Sequence, residues 1–322
     1  MNWQLRLKGK LKINEHLARH TSFKVGGPVQ FWAEPRDRLD LGKLVNLAHK
    51  KKMPLLIIGA GSNILVDDKG IKGIVTKLNS PYFKRILVNQ QVISAGAGLS
   101  LSSLIRCARK ESLSGFELLA GIPGTVGGAL IMNAGNIGDR VLDVTVMNKQ
   151  GRVKTLQRED IHFGYRNSDL GCYIILSARF KLIKKNKRTI AKSINKYLDY
   201  RRRTQDLSWP SAGCIFKNPD SKSVLRLRSG LMVSPSTSSG RLEGCRARSR
   251  REVKPSAAYF IERAGLKGSS IGDAVVSLKH ANFIINKGRA SSADILRLMS
   301  YITKSVKRRF NLDLEPEIKI WR

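Results

Sequence analysis

The sequence has no run of about 18 apolar residues, the length a membrane-crossing helix needs. It has no CxxC or CxxH spacing. Its four cysteines, Cys107, Cys172, Cys214 and Cys245, are scattered, so neither a zinc site nor a redox dithiol is indicated. Acidic side chains are scarce: 24 against 59 lysines and arginines in 322 residues, a formal charge of +35. That imbalance predicts anionic partners (nucleic acid, phosphate-bearing ligands or an acidic membrane surface) without choosing among them. A signal peptide is not expected, because Met1 to Lys12 is basic and has no apolar centre. Scattered thiols without such a signal predict a reduced, cytoplasmic protein. What is present is ordinary globular composition, 42% hydrophobic and 26% charged, in a length that suits two or three domains.

Several elements are legible. Residues 37–50 place Leu41, Leu44, Val45 and Ala48 on one helical face. Pro54 to Ile58 is a short apolar run ending at a glycine, the pattern of a buried strand, and residues 64–75 read as strand, turn, strand. Leu101, Leu104, Ile105 and Ala108 predict a helix over 101–110. Residues 141–156 and 173–180 are strand-like. Residues 183–203 carry nine Lys or Arg and one acid, with Ile190, Ile194 and Leu198 in helical phase, and predict a basic amphipathic helix near a domain boundary. Ser291 and Asp294 form an S-x-x-D cap, followed by a stripe of Ile295, Leu298, Met299, Ile302 and Val306. Residues 312–321 read as a terminal strand. Residues 220–254, with nine basic residues, three acids, eight serines and no apolar period, read as a flexible insertion.

Two glycine-rich segments carry the chemistry. Gly59, Ala60, Gly61, Ser62 and Asn63 resemble a dinucleotide fingerprint but fail it: the third glycine position holds Ile64, and the segment leads into a strand. Its glycines still allow backbone N–H groups to approach a pyrophosphate. A tight turn with no ligand is an equal reading of that loop alone. The second segment is Gly121, Ile122, Pro123, Gly124, Thr125, Val126, Gly127, Gly128 and Ala129, a loop composition that no packed core requires. Two such loops suit one long diphosphate ligand.

These motifs, with others in the same order, resemble the UDP-N-acetylenolpyruvoylglucosamine reductase family. The matching stretches are TSFKVGGP at 21–28, GAGSN at 59–63, GFELLAGIPGTVGGA at 115–129 and MNAG at 132–135. FGYRNS at 163–168, PSAGCIFKNP at 210–219, AAYFIERAGLKG at 257–268, KHANFIIN at 279–286 and LEPEI at 314–318 complete them. The resemblance implies an α+β chain: a flavin-binding region of the vanillyl-alcohol-oxidase type in two subdomains, expected over 1–80 and 81–190, and a substrate domain over 191–322. The shorter type, without an extra substrate-binding insert, fits better. It implies FAD as cofactor, NADPH as co-substrate and an enolpyruvyl UDP-sugar as substrate, with no metal, no membrane span, no nucleic acid and a monomer favoured.

The resemblance also implies site residues. Arg166 would face the substrate carboxylate, where a guanidinium fork matches two oxygens. Glu317 would assist the enolic intermediate, which requires partial protonation in a dry site. Cys214 stands where much of the family has serine and would be the proton donor. Tyr165, Lys217 and Asn218 are expected substrate contacts, and the two glycine-rich loops are expected to bind FAD. Glu262 and Asn282 lie in matching motifs without an assignable role. Two departures stand out. The family joins FKNP to the following helix by only a few residues, so the 220–254 insertion leaves an inactive copy as one alternative, with another FAD oxidoreductase on the same scaffold as the second. His20 replaces the usual asparagine, a change expected to matter little.

Overall fold

The computed structural model describes residues 7–220 and 256–322. Apart from Asp220, the expected 220–254 insertion lies outside the described residues, as does Cys245.

Three main sheets take their strands from successive parts of the chain. The first has the order Lys10–His16, Pro28–Glu34, Ile71–Lys77, Leu55–Ile58. Ile71–Lys77 is inside, paired in parallel with both neighbours and buried along Ile71, Gly73, Ile74, Val75 and Thr76. A nearly continuous apolar run is what a strand covered on both faces requires. The parallel relation of Pro28–Glu34 and Leu55–Ile58 needs a crossover, and helix Arg38–Lys50 supplies it. Asp37 caps that helix by accepting from the Asp40 N–H at 2.9 Å. Its buried face is divided: Leu41 and Val45 join the core of the second sheet, while Leu44 and Ala48 pack with Ala33 and Ile74 of the first.

The second sheet is antiparallel throughout, in the order Val153–Gln157, Val141–Met147, Ile174–Lys181, Val92–Gly96, Ile86–Asn89. The expected strand over 141–156 is thus a hairpin. Its turn is set by the Asn148 side chain, which accepts from the N–H groups of Gln150 and Arg152. Helix Lys187–Thr204 buries Ile190 and Ile194 against this sheet's core, so residue 190, where the sequence reading divides the chain, lies inside the helix.

The third sheet runs Ser211–Cys214, Phe283–Asn286, Ala274–Val276, Ser270–Ile271, also antiparallel. Helices Ala257–Arg263 and Ser292–Phe310 share its core. The cap at Ser291 forms in both directions: Asp294 N–H donates to Ser291 Oγ and Ser291 N–H to Asp294 Oδ2, each at 3.0 Å. All five stripe residues are buried.

The C-terminal segment departs from expectation. Only Lys319–Trp321 is strand, and it pairs in parallel with Ile64–Val66, directly after GAGSN. Upstream, Pro316 has no N–H to donate, so 314–318 is held by separate bonds instead of a ladder. Lys217 N–H donates to the Glu315 carbonyl at 2.9 Å, and Glu317 N–H to the Ile215 carbonyl at 2.7 Å. Phe23, Val25 and Leu65 pack into the third core, and Asp68 accepts from the N–H and hydroxyl of Ser292 at 2.7 and 2.8 Å. These contacts bring the GAGSN loop, FKNP and LEPE together. Among the described residues, no helix is long and apolar enough to cross a membrane.

Candidate active site

The two glycine-rich loops, 58 or more residues apart in sequence, face each other. Ser62 Oγ donates to the Pro123 carbonyl at 2.5 Å. A β-carbon on Gly59 would lie 2.6 Å from Thr125 Oγ1, so a larger residue would have to displace that hydroxyl. Gly61 has φ +68°, and a β-carbon there would lie 2.0 Å from the His20 carbonyl oxygen. Thr125 caps helix Val126–Ile131, accepting from Gly128 N–H at 3.3 Å. Ala60 is exposed beside a recess lined by His20, Lys24, Lys77 and Trp209.

Some residues expected to hold cofactor have other partners. Ile122 packs against the second core. Gly127 abuts Ala97, whose β-carbon would lie 3.1 Å from an added one, and Gly124 abuts Leu101. The Asn63 amide is directed at the Glu317 carbonyl, at 3.3 Å, and at the Met132 sulfur, at 3.4 Å. His20 does more than expected: it stacks on Trp32 at 3.8 Å, bonds Glu15 at 2.9 Å and presses its carbonyl on Gly61. The His20 hydrogen bond holds the Glu15 carboxyl below the usual range, against the opposing effect of burial.

FGYRNS forms a small hairpin, Phe163–Gly164 against Asn167–Ser168, with Tyr165 and Arg166 at its tip. Arg166 has φ +54°, a left-handed conformation costing a non-glycine residue about 1–2 kcal/mol. The hairpin is fastened to the second loop's helix: Ser168 Oγ donates to the Leu130 carbonyl at 2.9 Å, and Asn133 Nδ2 to the Gly164 carbonyl at 3.0 Å. Arg166 Nε lies 3.0 Å from Glu317 Oε1. That contact is an ion pair without hydrogen-bond geometry, because the N–H does not point at the carboxylate and has no acceptor among the described residues. A buried guanidinium donor without an acceptor among the described residues fits an oxygen acceptor supplied by a ligand.

Cys214 ends the first strand of the third sheet. Although half-buried by surface, its thiol is crowded by protein, and burial, then the Glu317 charge, push it up to about 11, against the pull of Arg166 and Arg201. Burial likewise raises Glu317, against Arg166 and Lys217. Both groups therefore hold protons to higher pH than they would in water. Lys217 pairs with Glu315 at 3.1 Å. Asn218 Oδ1 accepts from Ala257 N–H at 3.1 Å, and Asn218 N–H is 3.5 Å from the Tyr165 hydroxyl.

Arg201 escaped the sequence reading. Its Nε donates to the Ala120 carbonyl at 2.8 Å, and its side chain covers Gly121. Burial, then the Arg166 charge, lower its pKa. Nine basic residues in one helical stretch gave no sign of which turns inward. Of the other cysteines, Cys172 is exposed and Cys107 half-buried. No cluster of three metal-ligating side chains exists among the described residues.

The residues fit a flavin. Two loops in close contact, with a glycine where any side chain would collide, form a cradle for a pyrophosphate, and three groups able to hold charge or protons converge beside it.

A family model described as an FAD binding domain matches residues 29–157. Another, described as the C-terminal domain of UDP-N-acetylenolpyruvoylglucosamine reductase, matches residues 205–321. The UDP-N-acetylenolpyruvoylglucosamine reductase of Caldanaerobacter subterraneus is 40% identical over 319 residues, covering 97% of this chain and 94% of that protein. That of Moorella thermoacetica is 37% identical over 323 residues, covering 99% and 95%. The crystal structure of UDP-N-acetylenolpyruvylglucosamine reductase from Thermus caldophilus matches with a TM-score of 0.74 at 30% identity, covering 98% of this chain and all of that one. With likeness on that scale in both sequence and fold, the chain belongs to the UDP-N-acetylenolpyruvoylglucosamine reductase family.

Proposed function

We infer that the protein reduces the enolpyruvyl group of UDP-N-acetylglucosamine enolpyruvate to give UDP-N-acetylmuramate, a step in building peptidoglycan precursors for the cell wall. The observation carrying this reading is the convergence of Arg166, Glu317 and Cys214, from three distant segments, beside the paired glycine-rich loops. When bound, FAD supplies the two-electron relay from NADPH to C3 of the enolpyruvyl group.

The chain's own residues do the rest. The loop backbones at 59–63 and 121–128 hold the cofactor's pyrophosphate. The Arg166 guanidinium binds the substrate carboxylate and offsets negative charge as C2 becomes enolate-like. Glu317, whose carboxyl burial pushes up, shares that enolic oxygen. The Cys214 thiol gives the proton to C2, and the resulting thiolate is stabilised by the two guanidiniums before solvent returns a proton. Lys217, Asn218 and Tyr165, at the exposed side, contact the UDP-sugar, and Lys217 exchanges Glu315 for a phosphate. We assign two flavin subdomains and a C-terminal substrate domain, a monomer, and a cytoplasmic location where the nucleotide substrates are made. Through cell-wall synthesis the activity bears on cell shape and division.

The test is NADPH oxidation by the purified yellow protein with and without the enolpyruvyl UDP-sugar. Substrate-dependent turnover is expected. A colourless preparation that takes up no flavin would overturn the reading.

A further inference from the structure

Asn282 is 3% exposed and stands just before strand Phe283–Asn286. Its side-chain amide imitates a strand neighbour. Oδ1 accepts from the Phe216 N–H at 3.0 Å, and Nδ2 donates to the Phe216 carbonyl at 2.7 Å. Its own carbonyl accepts from the Ile215 N–H at 2.9 Å. One residue therefore takes three of the four backbone polar groups of Ile215 and Phe216, the pair that follows Cys214.

The surroundings explain why such a device is needed. Segment 211–217 changes partners along its length. Ser211 and Cys214 pair with Ile285 and Phe283, with a register break between them. The Ile215 carbonyl and the Lys217 N–H instead pair with Glu317 and Glu315 on the other side. Phe216 stands opposite Pro316, so its N–H and carbonyl point away from 315–317, toward a place where the neighbouring strand has already ended. Phe216 is 1% exposed, and water cannot serve those two groups. Left unpaired, each would carry the full cost of desolvation. The Asn282 amide fills the gap.

We propose that Asn282 is a positioning residue of the active site, clamping the joint at which 211–217 passes from one strand partner to the other and so fixing the Cys214 thiol relative to the Glu317 carboxyl group. Both ends of the joint reach the site: Cys214 is the last residue paired with strand Phe283–Asn286, and Glu317 hangs on Ile215. A relaxed clamp shifts donor against acid. A displacement near 1 Å costs about a hundredfold in a reaction that depends on placement. This inference rests on the roles given above to Cys214 and Glu317.

Two variants test it. Asn282→Asp keeps the acceptor for Phe216 N–H and loses the donor to its carbonyl; Asn282→Ala loses both. In stopped flow, reduction by NADPH should stay within about twofold of the parent. Oxidation of the reduced protein by saturating enolpyruvyl UDP-sugar should fall about 10–100-fold, least in Asn282→Asp. Without substrate, amide hydrogens at 215–217 should exchange faster, with flavin still bound. Cys214→Ala is measured alongside. If it is oxidised at the parental rate, the acid assignment fails and there is no donor to position. If it loses that step while both Asn282 variants keep it within twofold, the positioning inference fails alone. A loss shared equally by both half-reactions, or variants that retain no flavin, would assign Asn282 to the fold and overturn the proposal.

Discussion

At Arg166 the backbone and the side chain make opposite demands. The tip of the hairpin takes φ +54°, where glycine is at ease, yet it carries the guanidinium facing Glu317. Arg166→Ala should slow the substrate half-reaction by about 10²–10³, or ~2.7–4 kcal/mol, with little change in reduction by NADPH. Arg166→Gly should lose as much activity but melt higher than Arg166→Ala, by about 1 kcal/mol of stability, because glycine relieves the strain. Equal melting of the two would show that the turn stores none. Cys214 gives a pH test. With the thiol raised from 9.0 to about 11, only about a hundredth of the usual thiolate exists at neutral pH. Iodoacetamide at neutral pH should therefore modify exposed Cys172 well before Cys214, as peptide mass mapping would read. Oxidation of the reduced protein by substrate should lose rate only as pH approaches 11 through this group. Cys214→Ser should remain active and lack that alkaline limb, so a limb shared by both belongs to another group. The sequence alone located these residues by motif, but not the elevated thiol, which depends on what surrounds it in space.

Elements were legible where side chains mark them. Asp37, Ser100 and Ser291 each accept an N–H at a helix start, and each helix begins where its cap and apolar period place it. Ser291→Ala should cost about 1 kcal/mol in thermal unfolding, since the Asp294 N–H loses its acceptor, while the bond from the Ser291 N–H to Asp294 Oδ2 stays. The terminal strand was overread because period-two patterning does not reveal which segment lies alongside, and Pro316 breaks the ladder. That Ile122 packs on the second core and Gly127 on Ala97 was not legible, because loop composition does not disclose such neighbours. Gly61 is the contrasting case. Gly61→Ala meets both a left-handed backbone and the His20 carbonyl, so flavin affinity should fall on the order of tenfold or more, measured by retention of the yellow colour on dilution.

Over the whole molecule, the family motifs revealed the order of parts but not their joints. Arg201 and Asn282 act through backbone groups of other segments, and no residue pattern announces such partners. One joint makes a prediction about the long segment between FKNP and the helix at 257. Asn218 and Ala257 are hydrogen-bonded to each other, so the chain leaves and returns at one place. Deleting 222–254 and rejoining should leave thermal unfolding and flavin content unchanged, because loop-closure entropy varies slowly with length. The pairing of Lys319–Trp321 with Ile64–Val66 bears on a different matter, the order of assembly on the ribosome. The Ser62–Pro123 bond that brings the cofactor loops together spans 61 residues, whereas the Asn63–Glu317 bond spans 254. Translation thus delivers both walls of the cradle long before it delivers Glu317. A nascent chain that had closed around its cofactor would still lack the Glu317 carboxyl group, which arrives with the last stretch to join the third core.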